Sequence, residues 1–506
     1  MIVACYLLSP GTAGAEELSG EGSMSAASHL LAVLELDATA QAELVRDGEL
    51  TAAELVDLSI ARIEKLDPQV NAVIHEHFAR AREEARGPLP DGPFRGVPIL
   101  LKDLGCGHAQ GDPIHWGTRF LRDADHRAAS TSYLVAKLRA AGFVVVGRSN
   151  VPELGVWLTT EPEAYGATCN PWDLERSCGG SSGGAAAAVA ARMVPLAHAS
   201  DGGGSIRNPA SQTGLVGLKP SRGRVSLGPE WGESWGGLIT EFAVTRSIRD
   251  TAALLDVLAG PMPGDPFLMQ RPSRPYRMEA EAPPEPLRIG LLSHAHNLPV
   301  HPECLAALRA TARKLEALGH TVVEEHPSAL TDGSIDSFAV TVIGAAQALA
   351  IEQFEAALGR KIGPADLDPD NWKIIEMGRS VTAAQYIGAV EAMHRYARRM
   401  GAWWEGFDLL LTPTLPEPSP PLGELVARPG KPLEGFLRSA QLTTFLIPFN
   451  VTGQPAISLP VHWSAEGLPI GVQVVAAIGR EDLLIRVAAQ LEAAMPWEGR
   501  RPALLA

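Results

Sequence analysis

Apolar positions recur along this chain with two periods, and they alternate in order. Over 51–65 the residues Leu55, Leu58, Ile60 and Ile63 form a helical stripe, and Thr51 with Glu54 reads as a capping box at its start. The stretch 93–101 (PFRGVPILL) follows and reads as a buried strand that delivers Lys102 and Asp103 at its end. A helix over 131–141, stopped by Gly142, then leads into FVVVG at 143–147. The helix-forming run AAAAVAAR at 185–192 and the strand-like MVPLAHAS at 193–200 repeat the order, and so do a strand at 287–294, a helix at 303–318 and HTVVEEH at 320–326. Helices alternating with short hydrophobic strands predict an α/β fold around a parallel sheet.

Two stretches interrupt this pattern. Residues 261–286 and the segment PTLPEPSPPLGE are rich in proline and acidic residues and read as extended surface connections. Strand-like text returns afterwards in DLLLTPT, PAISLPVHW and PIGVQVVAA, which are expected to join the same sheet. No solenoid-type repeat is visible. At the N-terminus, IVACYLL ahead of SPGTAGA has the outline of a short apolar core before a cleavage site, but it lacks a basic flank. Helical patterning starts near Met24, so residues 1–24 are expected to be an extension, disordered or arising from a misplaced start, and 25–506 a single domain.

Composition narrows the function classes. A chain of 506 residues with 46% hydrophobic and 20% charged content can bury a large core. Its net charge of −15, without a basic stripe, argues against nucleic acid or an anionic membrane as partner. No apolar run reaches the roughly 20 residues that span a bilayer. The cysteines at 5, 106, 169, 178 and 304 are scattered with no CxxC pair, which fits a reducing, cytoplasmic setting, and no metal-ligand spacing or cofactor motif is present. The partner expected is a small molecule; the oligomeric state, a homodimer included, stays open.

The chemistry gathers in one glycine-serine tract, CGGSSGGAAAAVAARMVPLAHASDGGGSIRNP, from Cys178 to Pro209. Glycines let backbone N–H groups approach a developing anion, and serine supplies a hydroxyl that attacks carbon once its proton is removed. Ser205, just after Asp201-Gly202-Gly203-Gly204, has the setting of a nucleophile inside an oxyanion hole; the alternative is an anion-binding or merely flexible loop. The tract lacks GxxxxGK[ST], GxGxxG and GxSxG, which argues against nucleotide binding and an α/β-hydrolase triad. Cys178, among serines, reads as a packing residue and only secondarily as a nucleophile. Lys102 after VPILL reads either as a buried base with a lowered pKa or as a lysine paired with Asp103 or reaching solvent.

In combination these segments resemble the amidase signature family. The resemblance runs through GVPILLKD, GRSNVPELG at 147–155, ATCNPWD at 167–173, GGSSGG at 179–184, DGGGSIRNPAS at 201–211, GLVGLKPSRGRVS at 214–226 and PFNVTGQPAISLP at 448–460. Within the family, TTEPEAYGATCNPW and the C-terminal GLPIGVQVVAA and GREDLL are similar to the 6-aminohexanoate cyclic dimer hydrolase branch and related bacterial amidases. The resemblance implies the amidase signature fold, a large mixed and mostly parallel twisted sheet covered by helices on both faces. It also implies a Ser-cisSer-Lys triad: Ser205 as nucleophile, Ser181 after a cis peptide as bridge, Lys102 as general base. Gly202, Gly203, Gly204 and Ser205 would form the oxyanion hole, with Ser182, Asp201 and Arg207 supporting. The implied reaction is hydrolysis of small to medium apolar or aryl/alkyl amides through an acyl-enzyme, without cofactor or metal. Carbamate or ester hydrolysis by the same triad, a glutamine amidotransferase A subunit, and a binding protein that has lost its chemistry are the alternatives. Trp116, Trp157, Trp231 and Trp235 are candidates to line the substrate pocket, against core or surface packing.

Overall fold

The structure, a computed structural model, describes residues 32–296 and 298–505; the extension expected over 1–24 lies outside them. The helix anticipated at 51–65 spans Ala52–Val70, with the Thr51/Glu54 capping box formed on both sides and Asn71 ending it in a left-handed conformation. Thirteen strands follow in chain order among the described residues. They are β1 (Val73–Glu76), β2 (Pro98–Lys102), β3 (Val144–Ser149), β4 (Cys169–Asn170), β5 (Asp173–Ser177), β6 (Ala197–Asp201), β7 (Val216–Lys219), β8 (Thr240–Thr245), β9 (Arg288–Leu291), β10 (Thr321–Val323), β11 (Leu409–Pro413), β12 (Ala456–Trp463) and β13 (Pro469–Ala476). All but the small β4–β5 pair belong to one sheet, ordered β1-β3-β2-β6-β8-β7-β12-β13-β11-β9-β10.

Every residue of β2, β3, β6, β7, β8, β11 and β13 is buried. Successive side chains point to opposite faces, so the sheet is covered on both sides. The helix Gly183–Ala190, glycine and alanine except for Val189 and so small enough for close approach, packs on β2, β3, β6 and β8, and Arg207–Thr213 packs on β7, β12 and β13. The C-terminal strands join this sheet, as their apolar text predicted.

Parallel pairing, expected to dominate, is confined to the two ends. β3–β2–β6 and β11–β9–β10 run parallel, whereas every pair from β6 through β8, β7, β12 and β13 to β11 is antiparallel. The physical reason is local at β12–β13: the turn over 464–468 is too short for a crossover, so these neighbours can only pair antiparallel. The strand expected from 93 pairs only from Pro98, because 93–97 forms a turn with Gly96 at φ +82. The connection at 261–286 is not wholly extended. It contains the short helix Tyr276–Ala280, anchored where Arg274 and Arg486 converge on buried Glu279.

Candidate active site

β2 and β6 lie side by side at the parallel end of the sheet and bring Lys102, Ser200 and Asp201 to adjoining strand ends. Lys102 is fully buried. Its Nζ lies 2.8 Å from Ser181 Oγ and 2.9 Å from Ser200 Oγ, with the Ser200 carbonyl at 3.4 Å. Burial pulls the amine down from its ordinary value to about 7, against the opposing charges of Glu241 and Asp201. Pairing with Asp103, the other reading of this lysine, does not occur: the Asp103 carboxylate accepts from Arg148 Nε at 3.1 Å and from the His115 N–H.

Ser181 follows a cis peptide from Gly180. The Gly180 carbonyl and that of Leu158 accept from Asn208 Nδ2 at 3.0 and 2.9 Å, and a Cβ on Gly179 would lie 2.6 Å from Pro209 Cα. The GGSSGG turn is thereby locked against the helix that follows Ser205. Ser182 Oγ donates to the Ser200 carbonyl and accepts from the Ser200 N–H, so it ties the turn to β6 and makes no bond to Lys102.

Asp201 organises the second turn. Its carboxylate accepts from the N–H groups of Gly204 (2.7 Å) and Ile206 (3.2 Å), from Asn450 Nδ2 (2.8 Å), and from Arg207 through Nε and Nη2, both at 2.9 Å. Arg207 also donates to the Leu446 carbonyl, Gln473 Oε1 and Asn450 Oδ1. Burial by itself would raise the Asp201 pKa, but the Arg207 cation and the hydrogen bonds hold the carboxyl well below the usual range. One expectation is corrected here: the Gly204 N–H is turned onto Asp201, so it does not face a reacting oxygen. The N–H groups of Gly202, Gly203 and Ser205 carry no hydrogen bond among the described residues.

The four tryptophans divide. Trp235 lies against Gly202, where an added Cβ would meet its indole at 3.2 Å, and the Trp157 carbonyl lies 2.7 Å from the Cβ position of Gly180. The Trp157 indole is buried and its N–H donates to Asn371 Oδ1 at 3.0 Å. Trp116 and Trp231 meet edge to face at 6.4 Å and pack on Phe354 and His108 respectively. Cys178 is buried, its Sγ 3.3 Å from the Thr168 carbonyl, and burial pushes its thiol far up, which suits packing. Sequence reasoning missed Ser200, Asn208 and Asn450. The last two stand inside the quoted segments SIRNPAS and PFNVTGQP, so their amides were visible but not their partners. A cavity of about 1450 Å³ between the helix Ile248–Leu258 and the segment around Tyr276 is lined by none of Lys102, Ser181, Ser205 or residues 201–207. Among the described residues no cluster of potential metal ligands occurs, and no helix is long and apolar enough to cross a membrane.

A family model described as Amidase matches residues 54–485. The chain is 47% identical over 479 residues to a 6-aminohexanoate-cyclic-dimer hydrolase of Paenarthrobacter ureafaciens, covering 93% of this chain and 97% of that protein. The solved structure of a 6-aminohexanoate cyclic dimer hydrolase complexed with substrate superposes with a TM-score of 0.90 at 46% identity, over 94% of this chain and 100% of that one. A bacterial aryl acylamidase of the amidase signature family superposes with a TM-score of 0.80 at 28% identity, over 92% and 99%. The chain therefore belongs to the amidase family and is a hydrolase of amide bonds.

Proposed function

We propose that this amidase works through a Ser205–Ser181–Lys102 relay that forms and hydrolyses an acyl-enzyme. The observation that carries the reading is the 2.8 Å contact between the buried Lys102 amine and Ser181 Oγ. With its pKa drawn to about 7, a large fraction of Lys102 is neutral at neutral pH and able to accept a proton. Lys102 takes the Ser181 proton, Ser181 takes that of Ser205, and Ser205 Oγ bonds to the acyl carbon. The N–H groups of Gly202, Gly203 and Ser205 are free to hold the oxyanion. The relay then runs backward: the proton passes to the leaving nitrogen, the C–N bond breaks and the amine departs. Water repeats the cycle at the Ser205 ester and releases the acid.

Asp201 and Arg207 brace the oxyanion turn, and Ser182 holds the bridging turn to β6. The substrates we infer are small to medium amides with apolar alkyl or aryl groups, taken without metal or cofactor. Trp235, packed on Gly202, supports an apolar wall, and the names of the similar hydrolase and acylamidase point the same way. Esters and carbamates pass through equivalent tetrahedral intermediates. We take 25–506 as one domain because a single sheet draws on strands from Val73 to Ala476, and the described cysteines, none of them disulfide-bonded, accord with a cytoplasmic enzyme. A panel of linear and cyclic amides, anilides, carbamates, esters and glutamine tests the assignment. Turnover of apolar amides that disappears in Ser205→Ala supports it; turnover confined to glutamine would redirect it to the amidotransferase class.

A further inference from the structure

Behind the proposed base lies a buried carboxylate that the relay does not use. Glu241 on β8 is 1% exposed, and its Oε2 is 2.8 Å from His198 Nε2 while its Oε1 accepts from the Cys106 N–H at 3.1 Å. The other ring nitrogen, His198 Nδ1, is 3.2 Å from the Lys102 N–H. A backbone N–H can only donate, so Nδ1 is an acceptor and the ring proton sits on Nε2, pointing at Glu241. The carboxylate thus has two N–H donors, and no lysine or arginine forms an ion pair with it among the described residues. A buried anion without a paired cation is costly, and its placement calls for a role.

We propose that Glu241, acting through His198, is a positioning residue for the base: it pins the main chain at Lys102 and supplies a buried negative charge one hydrogen-bonded side chain away from that lysine. This inference rests on the relay reading. Of the charges acting on Lys102, that of Glu241 is the strongest, ahead of Asp201, and it opposes the pull of burial. The other charged and titratable groups packed around Lys102 and Glu241 are already engaged. Asp201 on β6 is matched by Arg207; Arg148 on β3, which donates to the Lys102 carbonyl at 3.0 Å, is matched by Asp103. The Cys106 thiol is pushed up by burial and by Glu241 itself. Glu241 is the charge left over to keep Lys102 basic enough to take a proton.

The test reads the base without needing the natural substrate. A fluorophosphonate probe forms an O–P bond at Ser205, expels fluoride and leaves the hydroxyl proton on Lys102, so its labelling rate against pH follows the neutral fraction of the amine. Glu241→Gln removes the charge and is expected to move the acid limb of that profile downward by about half a pH unit or more, with a lower plateau from the weaker base. His198→Leu is expected to slow labelling severalfold, and His198→Gln, whose amide can accept from Lys102 and donate to Glu241, to restore it. If Glu241→Gln does not melt cooperatively, the His198 pair decides. An acid limb that stays put or rises in Glu241→Gln overturns the proposal, as do His198 variants that both label like the wild type. Labelling that survives in Ser205→Ala would instead overturn the relay.

Discussion

Replacing Arg207 by methionine removes the cation that pairs directly with Asp201, and the structure sets the size of the effect. The variant loses both guanidinium bonds to the Asp201 carboxylate and those to Leu446, Gln473 and Asn450, and the carboxylate stays fully buried with the N–H groups of Gly204, Ile206 and residue 207 and Asn450 Nδ2. Breaking a buried pair from one side costs about 3–5 kcal/mol. Asp201→Asn in the same background should recover part of that, because the uncompensated charge is gone. The sign with pH follows from linkage. The Asp201 pKa is depressed in the folded wild type, so its contribution is present above about pH 4 and is lost as pH falls through the folded value. In Arg207→Met burial, the largest influence on this carboxyl, is opposed only by the remaining hydrogen bonds and the more distant Lys219, so that pKa rises and the gap between variant and wild type narrows as pH falls. Urea unfolding at pH 7 and pH 4.5 measures both effects. A loss under about 1 kcal/mol at pH 7, or a gap that widens in acid, refutes the brace.

Three further outcomes are expected. Acylation of the wild type should rise through pH 7 as Lys102 loses its proton, with roughly a tenth of the amine neutral at pH 6 and nine-tenths at pH 8; a stopped-flow profile that is flat or has an acid optimum contradicts this. Ser181→Ala should keep the wild-type melting curve and lower kcat/KM by about 10²–10⁴, because the proton path from Ser205 to Lys102 is cut; near-wild-type kinetics would show that Ser181 is not the bridge. Gly204→Ala forces a side chain into φ +130 with its Cβ 2.4 Å from Leu446 Cδ1, and should destabilise by about 1–3 kcal/mol in calorimetry; an unchanged melting temperature would mean the turn relaxes freely.

Legibility from sequence followed the reach of the interactions. The capping box at Thr51 and Glu54 and the apolar runs of β3, β11, β12 and β13 are local features, and the structure holds them where the text placed them. Strand direction is not local: alternating helix and strand signals suggested parallel pairing, and the antiparallel centre arises from which strands meet across the sheet. The helices Asp336–Leu358, Pro369–Arg379 and Ala383–Gly401 went unassigned. The first is alanine-rich and apolar nearly all round, which blurs its period, although the Thr382/Gln385 capping box of the last was a readable start signal. At the site, residue types made Lys102 and Ser205 candidates, and the family resemblance added Ser181 and the roles of all three. The Gly204 N–H was misread because the sequence does not show that Asp201 folds back onto its own turn, and Glu241 was invisible because its meaning depends on His198 one strand away.

The most direct test of the relay is peptide mapping after reaction with a fluorophosphonate at pH 8. The account predicts one adduct per chain, on the peptide that contains Ser205, absent in Ser205→Ala and formed far more slowly in Lys102→Ala. An adduct on Ser181 or Cys178, or undiminished labelling of Ser205→Ala, would contradict it.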